Sequence, residues 1–240
     1  YINGISNKSL KKAVNDANKR SKSCREKVLY NEMHKYFENH INGKIIIDLR
    51  HDKNVNKLSF SPTESIYRDW SILDGLILAR PGAAESELAM APVFRMGENR
   101  IGLDKLEHIF AVGFDYFRKY YKKNIPIEEV LIDGVWWEKL LYGGKKWGTG
   151  IFSYADLAAN FNGLRFWNAV LRKQQDIMGQ DIGPYVTCQN DQWRVARPID
   201  LADYIDASFN EAINCSKFTT ENTAQKARKQ IERLGLNCPL

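Results

Sequence analysis

No stretch of about eighteen uninterrupted apolar residues occurs, so the sequence offers no helix able to span a bilayer. A basic-then-apolar leader does not open the chain, and its start at Tyr1 rather than methionine reads as a processed or trimmed mature form. Cysteine is sparse. Cys24, Cys188, Cys215 and Cys238 include no C-x-x-C pair, which argues against the closely spaced ligands of a structural zinc site. The sequence has no G-x-S-x-G elbow, H-E-x-x-H pair, Walker A loop or strand-following G-x-G-x-x-G. These absences remove the serine-elbow hydrolases, zincins, P-loop nucleotidases and dinucleotide binders. No cysteine has a histidine at a recognisable family spacing. Net charge is +6, yet no arginine run interleaved with aromatics accompanies it, so nucleic acid is not an expected partner. No cofactor is expected.

What is present describes an ordinary globular protein. The 240 residues are 44% hydrophobic and 27% charged, enough to bury a sizeable core. The even number of cysteines allows two disulfides in three connectivities, or four buried thiols. Three of the four lie from Cys188 onward, so bridges stapling the tail would fit a secreted or periplasmic location. The basic balance suits anionic surroundings such as wall polymers.

Along the chain, residues 1–8 read as a polar lead-in. Ser9 caps a helix carrying Leu10, Val14 and Ala17, and a second apolar stripe runs from Val28 to about Ile41. Lys44–Leu49 (KIIIDL) reads as a short buried strand after an Asn42-Gly43 turn. Ser61-Pro62-Thr63-Glu64 signals a helix bearing Ile66, Tyr67, Trp70 and Leu73. Residues 80–102 read as irregular loop around a helical piece near 84–90. Leu103–Lys123 is the strongest helix, with Leu106, Phe110, Phe114, Phe117 and Tyr121 as its buried stripe. Asp104 and His108 are helix neighbours, either a metal or proton-relay pair or a carboxylate holding a histidine. Later come a helix to about Met178 and a hairpin turning at Asn190-Asp191. A helical region after Pro198 is expected to align Asp200, Asp203 and Asp206 as an acidic ridge. Thr220 or Asn222 caps a last basic helix that ends at Gly235.

The chain is organised around residues 126–163. Pro126, Glu128 and Glu129 open a helix on which Val130, Gly134, Trp137, Glu138 and Leu141 share a face. Glu138 is the only charged group on that stripe. Gly143, Gly144, Gly148 and Gly150 break the helix, 145–152 read as a short hairpin or tight loop, and Ser153 to Asp156 has the spacing of a capping box. A glutamate sheltered among apolar and aromatic groups, here beside Trp136 and Trp137, has its charged form disfavoured and can act as a general acid. The bland alternative pairs Glu138 with Lys139, Lys145 or Lys146 and leaves Ser153 and Asp156 as caps.

The string Asp104-Lys105-Leu106-Glu107-His108-Ile109-Phe110 and the segment from Gly148 through Asn160 to Phe166-Trp167 resemble a family of exported bacterial proteins. The wider organisation is similar to the lysozyme superfamily of goose-type and phage-type enzymes and lytic transglycosylases. That resemblance implies a mainly helical α+β fold with a small β-hairpin beside the catalytic helix. It implies either an arm of residues 1–60 on a lysozyme-like domain 61–240, or a single domain. It further implies hydrolysis of peptidoglycan glycan strands, with a preference for de-N-acetylated sugars, by a monomer. In these positions Glu138 would be the general acid, supported by Ser153 and Tyr154. Asp156, Trp137, Thr149 and Asn160 would contact the glycan. A single glutamate with a positioned water agrees with the missing G-L-M-Q string and second carboxylate. The rival expectations are a non-catalytic wall-binding or envelope protein, and a metal-dependent hydrolase centred on Asp104 and His108.

Overall fold

The computed structural model describes residues 2–37, 44–58, 65–71, 73–75, 92–144, 148–210 and 216–235, and of residues 141 and 142 the backbone alone. The fold is α+β and mainly helical, with three small antiparallel sheets among the described residues. Contacts divide the chain into two compact units, each assembled from three sequence segments: 1–56, 103–126 and 159–205 form the first, and 57–102, 127–158 and 206–240 the second.

In the first unit, α1 (Ile2–Arg20) and α2 (Glu26–Phe37) pack on each other through Leu10, Val14, Leu29 and Met33. The expected polar lead-in is therefore already helix, and Ser9 lies buried inside it rather than capping it. Lys44–Leu49 is not a strand. It lies in helix α3 (Lys44–His51), whose Ile45, Ile46 and Leu49 are buried together on one side. Three consecutive isoleucines favour a strand locally, but α3 packs on α1, α2 and the start of the next helix, and tertiary burial decides. The helical stretch α4 (103–122) alternates α-turns with wider turns at His108–Val112 and Arg118–Lys122. All five residues of its expected stripe are buried.

α6 (Tyr154–Leu171) contributes residues 159–171 to this unit. Phe37, Phe110, Phe166 and Trp167 meet in edge-to-face and tilted contacts with ring centres 5.1–6.4 Å apart. The Trp167 indole donates to Phe110 O at 2.9 Å. α6 stops at Leu171, short of the expected Met178, because Arg172 adopts a left-handed φ of 45°. The following loop is held by a buried pair, Arg165 Nε donating to Asp176 Oδ1 at 3.0 Å. The hairpin β5 (Val186–Gln189) and β6 (Gln192–Val195) turns at Asn190 and Asp191, both with positive φ, as expected. Cys24 is disulfide-bonded to Cys188, so the bridge ties the α1–α2 connection to this hairpin. Cys215 and Cys238 lie outside the described residues.

In the second unit, β1 (Lys57–Leu58), β2 (Val93–Met96) and β3 (Asn99–Gly102) form one antiparallel sheet, where irregular loop was expected for 92–102. The helical piece near 84–90 and the cap at 61–64 lie outside the described residues. Residues 65–70 are turns, not helix; Trp70 packs instead with Tyr67, Ile151 and Phe218. α5 (127–142) leads to β4 (Ile151–Phe152), which pairs with β7 (Lys217–Phe218) rather than folding back as a local hairpin. α7 (Glu221–Arg233) begins at a Thr220–Thr223 capping box. Its Lys226 Nζ reaches the buried Asp74 Oδ2 at 2.6 Å. Burial pushes the Asp74 carboxyl up, but bonds from Lys226 and Ser71 outweigh it and hold the group below its ordinary value.

No single helix carries the expected acidic ridge. Asp200 and Asp206 cap two separate short 3-10 turns, Leu201–Asp203 and Ala207–Phe209, through Ala202 N and Ser208 N. Their carboxylates are turned to local backbone donors. Asp203 titrates above its ordinary value through burial and the neighbouring Asp200.

Candidate active site

Glu138 stands where α5 changes character. The helix is α-type over Ile127–Trp137, and Glu138 opens a wider turn closed by the Gly143 N–H donating to Glu138 O at 2.7 Å. Gly143 sits where the chain returns on itself: a Cβ there would lie 2.4 Å from Ile151 O, so only glycine lets the loop's two ends approach. The loop therefore leaves the helix at Gly143 and comes back alongside it at Ile151.

That return brings Ser153 onto the carboxylate. The Ser153 N–H donates to Glu138 Oε1 at 3.2 Å, and Glu138 is 1% exposed. Ser153 Oγ meanwhile accepts from Asp156 N at 3.1 Å and caps α6, so one residue ends the loop, starts the helix and holds the acid. Thr149 Oγ1 accepts from Ile151 N at 3.2 Å and shapes the last turn before β4. Gly150 is pressed against Asp74, its O accepts from Thr219 Oγ1 at 3.1 Å, and the loop is thereby anchored to β7. A carboxylate facing a glycine loop that carries hydroxyls is thus present, within a single unit.

The remaining expected residues divide. Tyr154 is half-buried in the first turn of α6, edge-on to Phe152 at 5.2 Å, with Lys217 Nζ 5.5 Å from its ring centre. Asp156 is half-buried in the same first turn, its N–H used in the cap. Trp136 and Trp137 stand edge to face at 5.1 Å and project into solvent. The expected shelter of Glu138 by these indoles is corrected: both are exposed, while the carboxylate is buried and accepts from the Ser153 N–H. Asn160 lies in the first unit, where its Oδ1 is 2.8 Å from His108 Nδ1. Asp104 Oδ2 accepts from Lys105 Nζ at 2.6 Å. Among the described residues no group of three His, Cys, Asp or Glu side chains could hold a metal ion.

Comparison with family models, with curated proteins and with solved structures gives no match. The site therefore stands on its geometry. Lys217, beside Tyr154, is the neighbour that sequence reading missed. It arrives through β4–β7 pairing across more than sixty residues, and nothing local in the sequence announces it.

Proposed function

We propose that the chain is a lysozyme-like glycoside hydrolase, secreted or periplasmic, that cleaves β-1,4 glycosidic bonds of peptidoglycan. The observation that carries this reading is the Glu138 carboxylate, withdrawn from water at a helix end and held by a backbone N–H of the returning loop. In the proposed step the protonated carboxyl gives its proton to the glycosidic oxygen as the C1–O bond breaks. A water positioned by Ser153 and Tyr154 adds to C1 and loses its proton to solvent, from which the Glu138 carboxylate is reprotonated, while Asp156 supports the positive charge developing on the ring. Thr149 and Trp137 contact the glycan. The Cys24–Cys188 disulfide is compatible with an oxidising compartment. A preference for de-N-acetylated strands rests on the resemblance alone, since Asp200, Asp203 and Asp206 do not lie on one helix.

The test is muropeptide release from native and deacetylated sacculi. Wild type releases fragments, and Glu138→Gln lowers release by about a hundredfold or more; undiminished release by that variant rejects the assignment. One observation favours a second reading, a wall-binding protein without chemistry. A general acid must come within about 3 Å of the oxygen it protonates, and Glu138 is almost fully enclosed. Co-sedimentation with sacculi without released fragments supports that alternative.

A further inference from the structure

The other side of α5 raises a separate question. Val130, Gly134 and Glu138 face inward, while the opposite side carries Ile132 (67% exposed), Trp136 (53%) and Leu140 (53%). At about 100° per residue, Glu129, Ile132, Trp136 and Lys139 fall on one outward stripe, and the wider turn brings Leu140 onto it. Together these apolar side chains leave roughly 350 Å² in water, within the range for the largest patch on a monomer. Such a stripe on a charged protein calls for an occupant.

We propose that this occupant is a second copy of the chain, packed antiparallel on the same stripe about a two-fold axis passing near Gly134. The charges select that direction. In a parallel pair Glu128 and Glu129 would meet their own copies. In the antiparallel pair Glu129 meets Lys139 of the second copy and Ile132 meets Trp136, each pairing occurring twice. The stripe is self-complementary in both charge and shape class, with an aromatic anchor at its centre and charged residues at its ends. Two copies of the stripe, with Glu129 and Lys139 included, amount to on the order of 1,000 Å², the lower end for a specific interface, so the association is weak and reversible. This proposal uses the face opposite Glu138 and does not depend on the glycosidase reading. It differs from the monomer expected from the sequence.

Sedimentation equilibrium of the full chain tests it. The weight-average mass rises from 27.7 kDa toward twice that value over roughly 1–200 µM protein. Trp136→Ala, an exposed position whose loss leaves the far-UV spectrum and melting temperature unchanged, stays at 27.7 kDa throughout. Glu129→Lys and Lys139→Glu each weaken association about tenfold, and the double variant recovers it. A wild-type mass independent of concentration overturns the proposal, including the case where indole emission shifts only with added sacculi or anionic vesicles. Dimerisation that survives Trp136→Ala overturns it as well. Failure of the double charge swap to recover association overturns the antiparallel register.

Discussion

Gly163→Ala sets two physical effects against each other, and the structure decides which wins. Gly163 lies inside α6, where alanine is the better helix former by about 1 kcal/mol. Propensity alone therefore predicts a more stable protein. The packing predicts the reverse. A Cβ at Gly163 would sit 2.2 Å from Ile109 O and 2.7 Å from Gly113 Cα, backbone atoms of α4 that cannot swing aside. To admit the methyl group the two helices must separate. That separation strains the Trp167 to Phe110 hydrogen bond at 2.9 Å and the edge-to-face contact of Trp167 with Phe114 at 4.7 Å. Overpacking of this kind costs about 1–3 kcal/mol, and a weakened buried bond adds about 1 kcal/mol. After the propensity gain is subtracted, a net loss of about 2 kcal/mol is expected. Urea unfolding followed by far-UV circular dichroism and tryptophan emission measures it, the midpoint falling by roughly 1 M. Gly4→Ala is the control. Gly4 lies in α1 with nothing within 4 Å of the added Cβ, so that variant is neutral or more stable. If Gly163→Ala unfolds at or above the wild-type midpoint, the close approach of α4 and α6 is not what holds this unit together.

The paired variant Cys24→Ser/Cys188→Ser is expected to lose about 3 kcal/mol in the same urea assay, because the bridge closes a separation of 164 residues in the unfolded chain; an unchanged midpoint would refute this. Acid stability follows His34, which burial, helped by the Arg118 charge and opposed by Asp115, holds down to about 4. Between that value and 6.5 the unfolded chain takes up the proton and the folded one does not, so stability is complete above pH 6.5 and declines as pH falls toward 4. The decline is about 2 kcal/mol after discounting for residual solvent access, and His34→Leu flattens it over that window.

Local chemistry made some elements readable. α4 declares itself because Leu106, Phe110, Phe114, Phe117 and Tyr121 recur at helical spacing and are all buried. The β5–β6 hairpin follows from an Asn-Asp pair able to hold positive φ, and Ser153 from a hydroxyl three residues before Asp156. The carboxylate of Glu138 is where its position on the inward stripe puts it. What could not be read depends on partners distant in sequence. Ile45, Ile46 and Ile47 look like a strand until α1, α2 and α4 supply a surface for one helical face. The pairing of Ile151 with Phe218, and with it Lys217 beside Tyr154, has no local signature. The acidic ridge failed for the opposite reason. Asp200 and Asp206 each stand in extended backbone and N-cap a separate short turn, so the two do not belong to one helix.

The burial of Glu138 admits two explanations, and the sign of one stability change separates them. If the carboxylate serves as a clamp between the end of α5 and the start of α6, its charge strengthens the bond from the Ser153 N–H. Glutamine keeps the size and one acceptor oxygen, but it weakens that bond and brings an amide N–H₂ into a site that is 1% exposed. The clamp reading therefore predicts that Glu138→Gln loses about 1–3 kcal/mol. If the acid is kept for chemistry, its enclosure is a burden on the fold, since withdrawing an ionisable group from water is unfavourable whatever it later protonates. A neutral isostere then relieves that burden, and the variant gains about 0.5–2 kcal/mol while losing glycan cleavage. Urea midpoints at pH 7 for wild type and Glu138→Gln read the sign directly. A destabilised variant of a protein that releases no muropeptides would make Glu138 a structural tie and remove the hydrolase reading. A stabilised, inactive variant would leave no reason for a buried acid at that helix end other than the proton it delivers.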